Sequence, residues 1–301
     1  MKKQFNVVGV GEVLWDLLAG GPKMGGAPAN FAYHAHALGA SSHAITRVGK
    51  DDLGREISRR FGDLGLPTAE LQEDEVAPTG SAKVSLSGDG LAQFTIQEKV
   101  AWDFLEATPN ALALARQADA ICFGSLAQRS AISRHTIQQL IAATSAHALR
   151  VFDINLRQQY YSRELIERSL RLANVLKLNE EELPVLVRMF DLSGSLTSQI
   201  EELAHRFDQR VVALTRGPSG SLLFQNGRWS EYAPHPVNVI DTVGAGDSFA
   251  AALVLGLLHN LDLDRVNCFA NELARYVCSQ AGATPPIPPE LAHKFQTLAA
   301  R

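Results

Sequence analysis

The chain alternates between short apolar runs and longer stretches in which apolar residues recur at helical spacing. A run of about four to eight apolar residues bounded by turn signals is typical of a buried strand. Such runs predict strands at Asn6–Val10, His43–Val48, Ala120–Phe123, Val151–Ile154, Val175–Leu178 and Val211–Thr215. A further hairpin over Ser221–Gln225 and Trp229–Tyr232, around Asn226-Gly227, predicts an antiparallel edge. This alternation indicates stacked βαβ units and hence an α/β fold.

Helical periodicity fills the intervals between these strands. Within residues 51–64, Leu53, Ile57, Phe61 and Leu64 recur at helical spacing, and Gly65 is a suitable C-terminal stop. Further helices are predicted at Ser130–Ala146, Ser162–Ala173, Asp247–His259, Asp264–Gln280 and Pro289–Ala299.

A few strand-like segments do not belong to the βα alternation. Ser81–Ser87 and Leu91–Gln97 flank the turn signal Asp89-Gly90, and Val13–Leu18 is also strand-like. Together they indicate a small sheet that projects from the main one. Such a sheet is either a lid over a binding site or an ordinary surface hairpin.

The composition excludes several classes of protein. The 301 residues include 46% hydrophobic and 20% charged side chains, with a formal net charge of -4, so no basic excess is available for binding nucleic acid. The three cysteines, Cys122, Cys268 and Cys278, form no C-x-x-C pair, which argues against a disulfide framework or a zinc site and favours a reducing cytosol.

No segment is a good candidate for membrane insertion. The most apolar stretch, Phe249–Leu258, has about half the length that a bilayer requires. Lys2 and Lys3 precede only a short apolar run, which is too short for a signal peptide. We therefore expect a cytoplasmic protein with no membrane partner.

The familiar nucleotide loops are missing. Gly9-Val10-Gly11 begins like a dinucleotide fingerprint, but Leu14 stands where the third glycine belongs. Gly49-Lys50 is followed by an aspartate, not by the Ser or Thr of a phosphate-binding P-loop. Nucleotide binding would therefore need another phosphate cradle.

The strongest local signal is the segment Asp241–Phe249, which precedes an apolar helix. Its small residues Gly244, Ala245 and Gly246 leave backbone N–H groups unshielded where the helix begins, and a helix N-terminus is a natural seat for phosphate. Asp247 lies at the same place. It is either a helix cap or a base that accepts a proton from a hydroxyl while the amides hold the phosphoryl group.

A second signal is Gly25–Asn30, where small residues again precede a helix that Gly39 closes. Asn30 would lie in the first helical turn, either as a capping residue or as an amide that recognises a polyol with both donor and acceptor atoms. His34 and His36 lie two residues apart and so face different sides of the helix. They are poor metal partners and are expected to be surface or packing residues.

The two signals together resemble the N-terminal and C-terminal signatures of the PfkB/ribokinase family of carbohydrate kinases. The first runs from Gly25 through Gly39 and Gly49, and the second is Asp241–Asp247. The opening, Gly11–Asp16 followed by 25–32, is most similar to bacterial fructokinases. Supporting fragments are Asp153–Arg157, Asn179–Glu182, Thr215–Gly220 and Gly282-Ala283.

The resemblance implies a single domain over residues 1–301. It implies a three-layer α/β/α ribokinase-like core with a mostly parallel central sheet and a small β-sheet lid, formed by residues 12–27 and 78–104. It also implies transfer of the ATP γ-phosphoryl group to a sugar hydroxyl, with fructose as the expected sugar. Ribose, a ketodeoxy sugar acid and a nucleoside remain alternative substrates, and a non-catalytic sugar-binding regulator is a further alternative.

The resemblance also assigns site residues by position. Asp247 would be the catalytic base beside an anion hole of Gly244, Ala245 and Gly246. The sugar would be bound by Asp16, Gly25, Gly26 and Asn30, with Gln93 and Phe94 reaching it from the hairpin and Arg157 reaching the sugar or the phosphates. A carboxylate such as Asp16 can accept two hydroxyl hydrogen bonds.

The remaining implied roles concern ATP and its ions. Nucleotide binding falls to Asn179, Thr215, Gly217, Gly220 and Asn271. Glu182 would organise Mg²⁺ through water, and Asp241, Val243 and Gly282 lie where many family members bind K⁺. Pairing of two subunits through the lid is a further expectation.

Overall fold

The computed structural model describes residues 4–18, 21–86, 92–233 and 237–299, with the backbone alone for 18, 84–86 and 92–94. Its strands are β1 (Asn6–Val10), β2 (Leu14–Leu18), β3 (Gly21–Gly25), β4 (Ser41–Gly49), β5 (Leu71–Asp74), β6 (Ser81–Leu86), β7 (Ala92–Ile96), β8 (Ala120–Phe123), β9 (Leu149–Asp153), β10 (Val175–Asn179), β11 (Val211–Thr215), β12 (Ser221–Gln225) and β13 (Arg228–Tyr232).

The helices are α1 (Ala27–Ala37), α2 (Asp52–Asp63), α3 (Pro109–Gln117), α4 (Ala131–Ala143), α5 (Arg163–Leu172), α6 (Leu183–Phe190), α7 (Leu196–Arg206), α8 (Ala245–Leu258), α9 (Leu263–Cys278) and α10 (Pro289–Leu298). Short 3₁₀ turns lie at 101–104, 126–129 and 217–219. Within the described ranges, none of these helices combines the length and the apolar character needed to cross a membrane.

A nine-stranded sheet forms the centre of the molecule, in the order β13-β12-β11-β10-β9-β8-β1-β4-β5. The strands from β11 to β5 run parallel, and β12 and β13 add the antiparallel edge that the Asn-Gly turn predicts. The six strands expected from the apolar runs are all present, so the α/β prediction is confirmed.

Helices cover both faces of this sheet and make the expected three layers. On one face, the apolar sides of α3 to α7 pack on residues such as Phe123 and Phe152. On the other face, α1, α8, α9 and α10 enclose a second core that includes Phe249 and Phe295. Strand order reverses at β1, which has β4 on one side and β8 on the other. In open parallel sheets the carboxyl ends of the strands at such a reversal form a binding crevice.

The separate second sheet has four strands, in the order β3-β2-β6-β7. It contains the predicted hairpin, in which β6 pairs antiparallel with β7, and the strand-like segment that became β2. The sequence pattern did not single out β3, which carries only one large apolar side chain, Met24, in Gly21–Gly25. The function of this sheet as a lid stays a prediction.

Two glycines explain how α1 comes to lie at the carboxyl end of β1. A Cβ on Gly9 would stand 2.1 Å from the carbonyl oxygen of Pro28, and a Cβ on Gly26 would stand 2.5 Å from the carbonyl oxygen of Glu12. Backbone therefore packs directly on backbone at this point, which only glycine permits. The close approach holds the first turn of α1 over the crevice.

Candidate active site

The carboxylate of Asp247 lies in the first turn of α8, where the sequence predicted it. The side chain amide of Asn30, 217 residues earlier, donates a hydrogen bond from Nδ2 to Oδ2 of Asp247 at 2.8 Å. The structure thus brings the two glycine-flanked signals together at one point. The Oδ1 atom of Asn30 is buried and has no hydrogen-bond partner among the described residues.

Burial raises the pKa of Asp247 above its ordinary value. The hydrogen bond from Asn30 and the positive charges of Lys177 and Arg157 act in the opposite direction. A carboxylate held between these influences suits a general base, since a raised pKa makes it a better proton acceptor.

The start of α8 presents backbone donors at the positions that were expected. Gly244 caps the helix in the left-handed region, with φ of 80°, and a Cβ there would lie 2.4 Å from the carbonyl oxygen of Ala283. The N–H groups of Gly244 and Gly246 have no hydrogen-bond acceptor within the described part of the chain. The N–H of Ala245 donates to the carbonyl oxygen of Thr242 at 3.3 Å and closes the turn that starts the helix, and the anion hole of Gly244, Ala245 and Gly246 stays a prediction.

Asp241 ties the loop before α8 to its surroundings. Its Oδ1 accepts the N–H of Val243 at 3.1 Å, and its Oδ2 accepts the N–H of Gly282 at 3.0 Å. These are the three positions expected for K⁺, and the structure brings them together. The ammonium of Lys23, on β3 of the second sheet, also lies 3.2 Å from Oδ2 of Asp241.

Asp16 lies on β2 of the second sheet, at the edge of the crevice. A Cβ on Gly25 would stand 2.7 Å from Oδ2 of Asp16, so the glycine leaves room for this carboxylate. Burial raises the pKa of Asp16, while Arg157 acts to lower it. Gly25 and Gly26 therefore both serve close packing around the entrance to α1.

Arg157 is exposed and follows β9. Its positive charge acts to lower the pKa of Glu12, Asp16 and Asp247, which places it electrostatically near all three carboxyl groups. Gln93 and Phe94 lie on β7, but their side chains fall outside the described residues, so their expected sugar contacts stay predictions.

The expected Mg²⁺ residues form a compact turn between β10 and α6. Glu182 accepts the N–H of Leu156 on Oε1 at 2.9 Å and that of Asn179 on Oε2 at 2.8 Å. Asn179 in turn accepts the N–H of Glu182 at 2.9 Å. Each oxygen of Glu182 keeps one lone pair, which can accept a hydrogen bond from a water of the Mg²⁺ shell. Among the described residues, no three His, Cys, Asp or Glu side chains gather as a metal site.

The expected nucleotide loop begins at the end of β11, beside this turn. The carbonyl oxygen of Thr215 accepts the N–H of Glu180 at 3.0 Å, which links the two segments. Gly217 and Gly220 have φ of 49° and 82°, and a Cβ on Gly220 would lie 2.1 Å from the carbonyl oxygen of Tyr232. The loop therefore needs glycine for its own shape.

Asn271, expected near the adenine, lies on α9 and is buried. Its Nδ2 donates to Oγ of Ser221 at 2.6 Å and to both oxygens of Asn267, at 2.8 and 3.0 Å. The amide thus joins α9 to β12. His34 is also a packing residue, as expected, with Nε2 2.9 Å from the carbonyl oxygen of Ala283.

Two charged residues at the base of the crevice were not among the predicted site residues. Glu12 follows β1, is only 2% exposed, and its Oε2 has no hydrogen-bond partner among the described residues. Burial raises its pKa to about 7. Lys177 lies on β10 and forms a buried ion pair with Asp153, with Nζ 3.0 Å from both carboxylate oxygens. Glu12 stands next to an apolar run and Lys177 stands within one. A charged residue in such a place is the sequence signal that could have identified both.

Comparisons with known proteins identify the family to which the chain belongs. The family described as pfkB family carbohydrate kinase matches residues 20–290. Fructokinase of Klebsiella pneumoniae is 32% identical over 279 residues, which cover 88% of each chain. Sugar kinase PH1459 of Pyrococcus horikoshii is 31% identical over 277 residues, covering 86% of this chain and 82% of that protein.

Two solved structures extend the comparison to the fold. The crystal structure of PH1459 in complex with ATP is 28% identical and has a TM-score of 0.84 over 97% of this chain and 99% of that chain. Fructokinase of Vibrio cholerae O395, with fructose, ADP and calcium ion bound, is 25% identical with a TM-score of 0.80 over 97% of this chain and 99% of that chain. The Asn30–Asp247 pair lies at a helix N-terminus, and the family match and these relatives each cover most of the chain. The chain is therefore a member of the pfkB family of carbohydrate kinases.

Proposed function

We propose that this protein transfers the γ-phosphoryl group of ATP to a hydroxyl group of fructose. The single observation that carries the proposal is the hydrogen bond between Asn30 and Asp247, next to two N–H groups that lack acceptors among the described residues. A polyol-binding amide, a base and an anion seat then share one point in the crevice. The names of the Klebsiella and Vibrio relatives support fructose as the sugar.

The sugar hydroxyls would meet a surface rich in acceptors. Oδ1 of Asn30 and Oε2 of Glu12 are buried and have no partner in the described part of the chain, and the carboxylate of Asp16 lies at the edge of the same crevice. A buried acceptor without a donor is costly, by about 1–3 kcal/mol, and a sugar hydroxyl would remove that cost. This supports a neutral polyol rather than an anion as the substrate.

Asp247 would accept the proton of the attacking hydroxyl as the oxygen approaches phosphorus, a contribution of about 10²–10⁴-fold in rate. The N–H groups of Gly244 and Gly246 would bind the oxygens of the transferred phosphoryl group, and one such donor is worth about 3–4 kcal/mol in comparable sites. Holding the hydroxyl in line with the phosphorus supplies a further ~7–11 kcal/mol of the barrier.

ATP would lie along the ends of β10 and β11, over Asn179, Thr215 and the loop from Gly217 to Gly220. Mg²⁺, held through water by Glu182 and Asn179, would neutralise phosphate charge. A K⁺ ion would lie beside Asp241, Val243 and Gly282, mostly on backbone carbonyls, next to the partly exposed ion pair of Lys23 and Asp241. We also propose that the second sheet, within 12–27 and 78–104, closes over the sugar and excludes water.

The decisive experiment is a screen of ADP release against fructose, ribose, a ketodeoxy sugar acid and a nucleoside, with and without Mg²⁺ and K⁺. We expect the highest kcat/KM for fructose and no turnover without Mg²⁺. Preference for another substrate would refute fructose and keep the kinase, whereas tight sugar binding without ADP release would indicate a non-catalytic binder.

The base is tested with Asp247→Asn, which we expect to lower kcat by about 10²-fold or more while sugar affinity changes little. Asp264→Asn is the matched control, because Asp264 is an exposed acid in the first turn of another helix, α9. Near-normal turnover of the Asp247 variant would remove the residue from this role.

A further inference from the structure

The ion pair of Lys177 and Asp153 lies beneath the start of α8. Both side chains are buried, with 8% and 7% of their surface exposed. A Cβ placed on Gly246 would stand 2.8 Å from Nζ of Lys177. The ammonium therefore lies against the backbone of Gly246, whose N–H group has no acceptor within the described part of the chain, and a side chain at this position would displace it.

This arrangement is expensive for the fold. A helix N-terminus carries about half a positive charge, so an ammonium behind it is repelled. Burying two ions also costs several kcal/mol per ion before their attraction is counted, and a buried pair is weak evidence for stability. An apolar pair of the same size would pack here at lower cost. The position of the charge, at the anion seat, gives a reason for its presence.

Three carboxylates hold Lys177 in its charged form. Burial by itself would lower its pKa, but Asp153, Glu182 and Asp247 outweigh that influence and raise it. The ammonium is therefore a fixed positive charge beside Gly246 at the start of α8.

We propose that Lys177 is a positioning residue for phosphoryl transfer: its ammonium, anchored by Asp153 behind Gly246, supports the anion-binding amides and balances the charge of the Asp247 carboxylate. The inference rests on the proposed kinase function and deepens it. In this role Lys177 acts through Gly246 and Asp247.

Several charged and titratable groups lie near Asp247, and the experiment must separate their effects on its titration from that of Lys177. They are Glu12 after β1, the thiol of Cys122 on β8, Asp153 on β9, Arg157 after β9 and Lys177 on β10. Asn30 on α1 contributes its hydrogen bond. Among these groups, Lys177 and Asp153 form an ion pair that can be neutralised together with no change in net charge.

The test is the pH dependence of kcat in the double variant Lys177→Met/Asp153→Asn, compared with Asp153→Asn alone so that the two profiles differ only by the ammonium. We expect the acidic limb of the double variant to lie about one pH unit above that of Asp153→Asn, and its plateau kcat to be at least tenfold lower, with the KM for sugar within about twofold. The exposed pair Arg228→Met/Asp262→Asn is the matched control and should leave the wild-type profile unchanged. A folded double variant whose acidic limb coincides with that of Asp153→Asn would overturn the proposal.

A second variant guards against misfolding of the first. Gly246→Ala keeps both charges but pushes the flexible end of Lys177 away, and we expect a lower kcat with the acidic limb shifted in the same direction. A wild-type profile in Gly246→Ala would also overturn the proposal. Absence of turnover in the wild-type enzyme would refute the kinase function itself, and the role of Lys177 with it, whereas an active wild type with unmoved profiles refutes the role of Lys177 alone.

Discussion

The titration of Glu12 provides a quantitative test of its burial in the crevice, and the test needs no substrate. Its carboxyl group is 2% exposed, and burial raises its pKa from the ordinary 4.5 to about 7. Because the folded-state pKa lies above the unfolded one, the group's contribution to stability is fully present below pH 4.5 and is lost as the pH rises through 7. The total loss is about 3 kcal/mol, most of it between pH 5 and pH 8.

Glu12→Gln keeps the shape of the side chain and removes its titration. We expect wild type and variant to have similar stability at pH 5, and the variant to be more stable by about 3 kcal/mol at pH 8 to 9. For a chain of this size that corresponds to a difference of roughly 5 °C or more in Tm.

The assay is thermal unfolding without sugar or nucleotide from pH 5 to pH 9, followed by calorimetry or circular dichroism. Glu290→Gln is the matched control, because it makes the same chemical change at an exposed site in α10 and should leave the pH dependence unchanged. If the Tm curves of wild type and Glu12→Gln run parallel across this range, the carboxyl group is ionised throughout, and the reasoning from its burial is wrong.

Two further predictions concern the edges of the crevice. Asp16→Ala should raise the KM for sugar about tenfold or more while kcat changes less, since a charged acceptor of two hydroxyl hydrogen bonds is lost. Steady-state kinetics with fructose measures this, and an unchanged KM would exclude Asp16 from sugar binding. Gly244→Ala should lower the free energy of unfolding by about 2 kcal/mol or more and reduce kcat, because φ of 80° and the carbonyl of Ala283 at 2.4 Å both oppose a Cβ. Denaturant unfolding measures the loss of stability, and a variant as stable as the wild type would contradict the prediction.

The apolar pattern predicted the frame of the fold because burial decides it. A parallel strand enclosed on both faces, such as Val151–Ile154, is apolar along nearly its whole length, and sequence alone reveals it. The apolar pattern did not predict β3 and β5, for the opposite reason. Leu71–Asp74 is mostly polar and becomes a strand only because β4 offers it an edge to pair with. Tertiary pairing, not local preference, makes that strand.

The candidate site was predictable in part for a similar reason. Asn30 and Asp247 stand beside glycines, which mark local backbone requirements that sequence displays. Glu12 and Lys177 gain their character from partners more than 20 residues away, and only folding brings these together. The turn that Thr242 closes onto the N–H group of Ala245 is a detail of loop geometry that residue types do not specify.

The bond between Asn30 and Asp247 has a consequence for biosynthesis. Its two members are separated by 217 positions, so the ribosome has made most of the polypeptide before the second one exists. No nascent or proteolysed fragment that ends before α8 could carry the complete reaction centre. A half-made chain already contains the Asn30 amide, yet it lacks the carboxylate that we propose as the base.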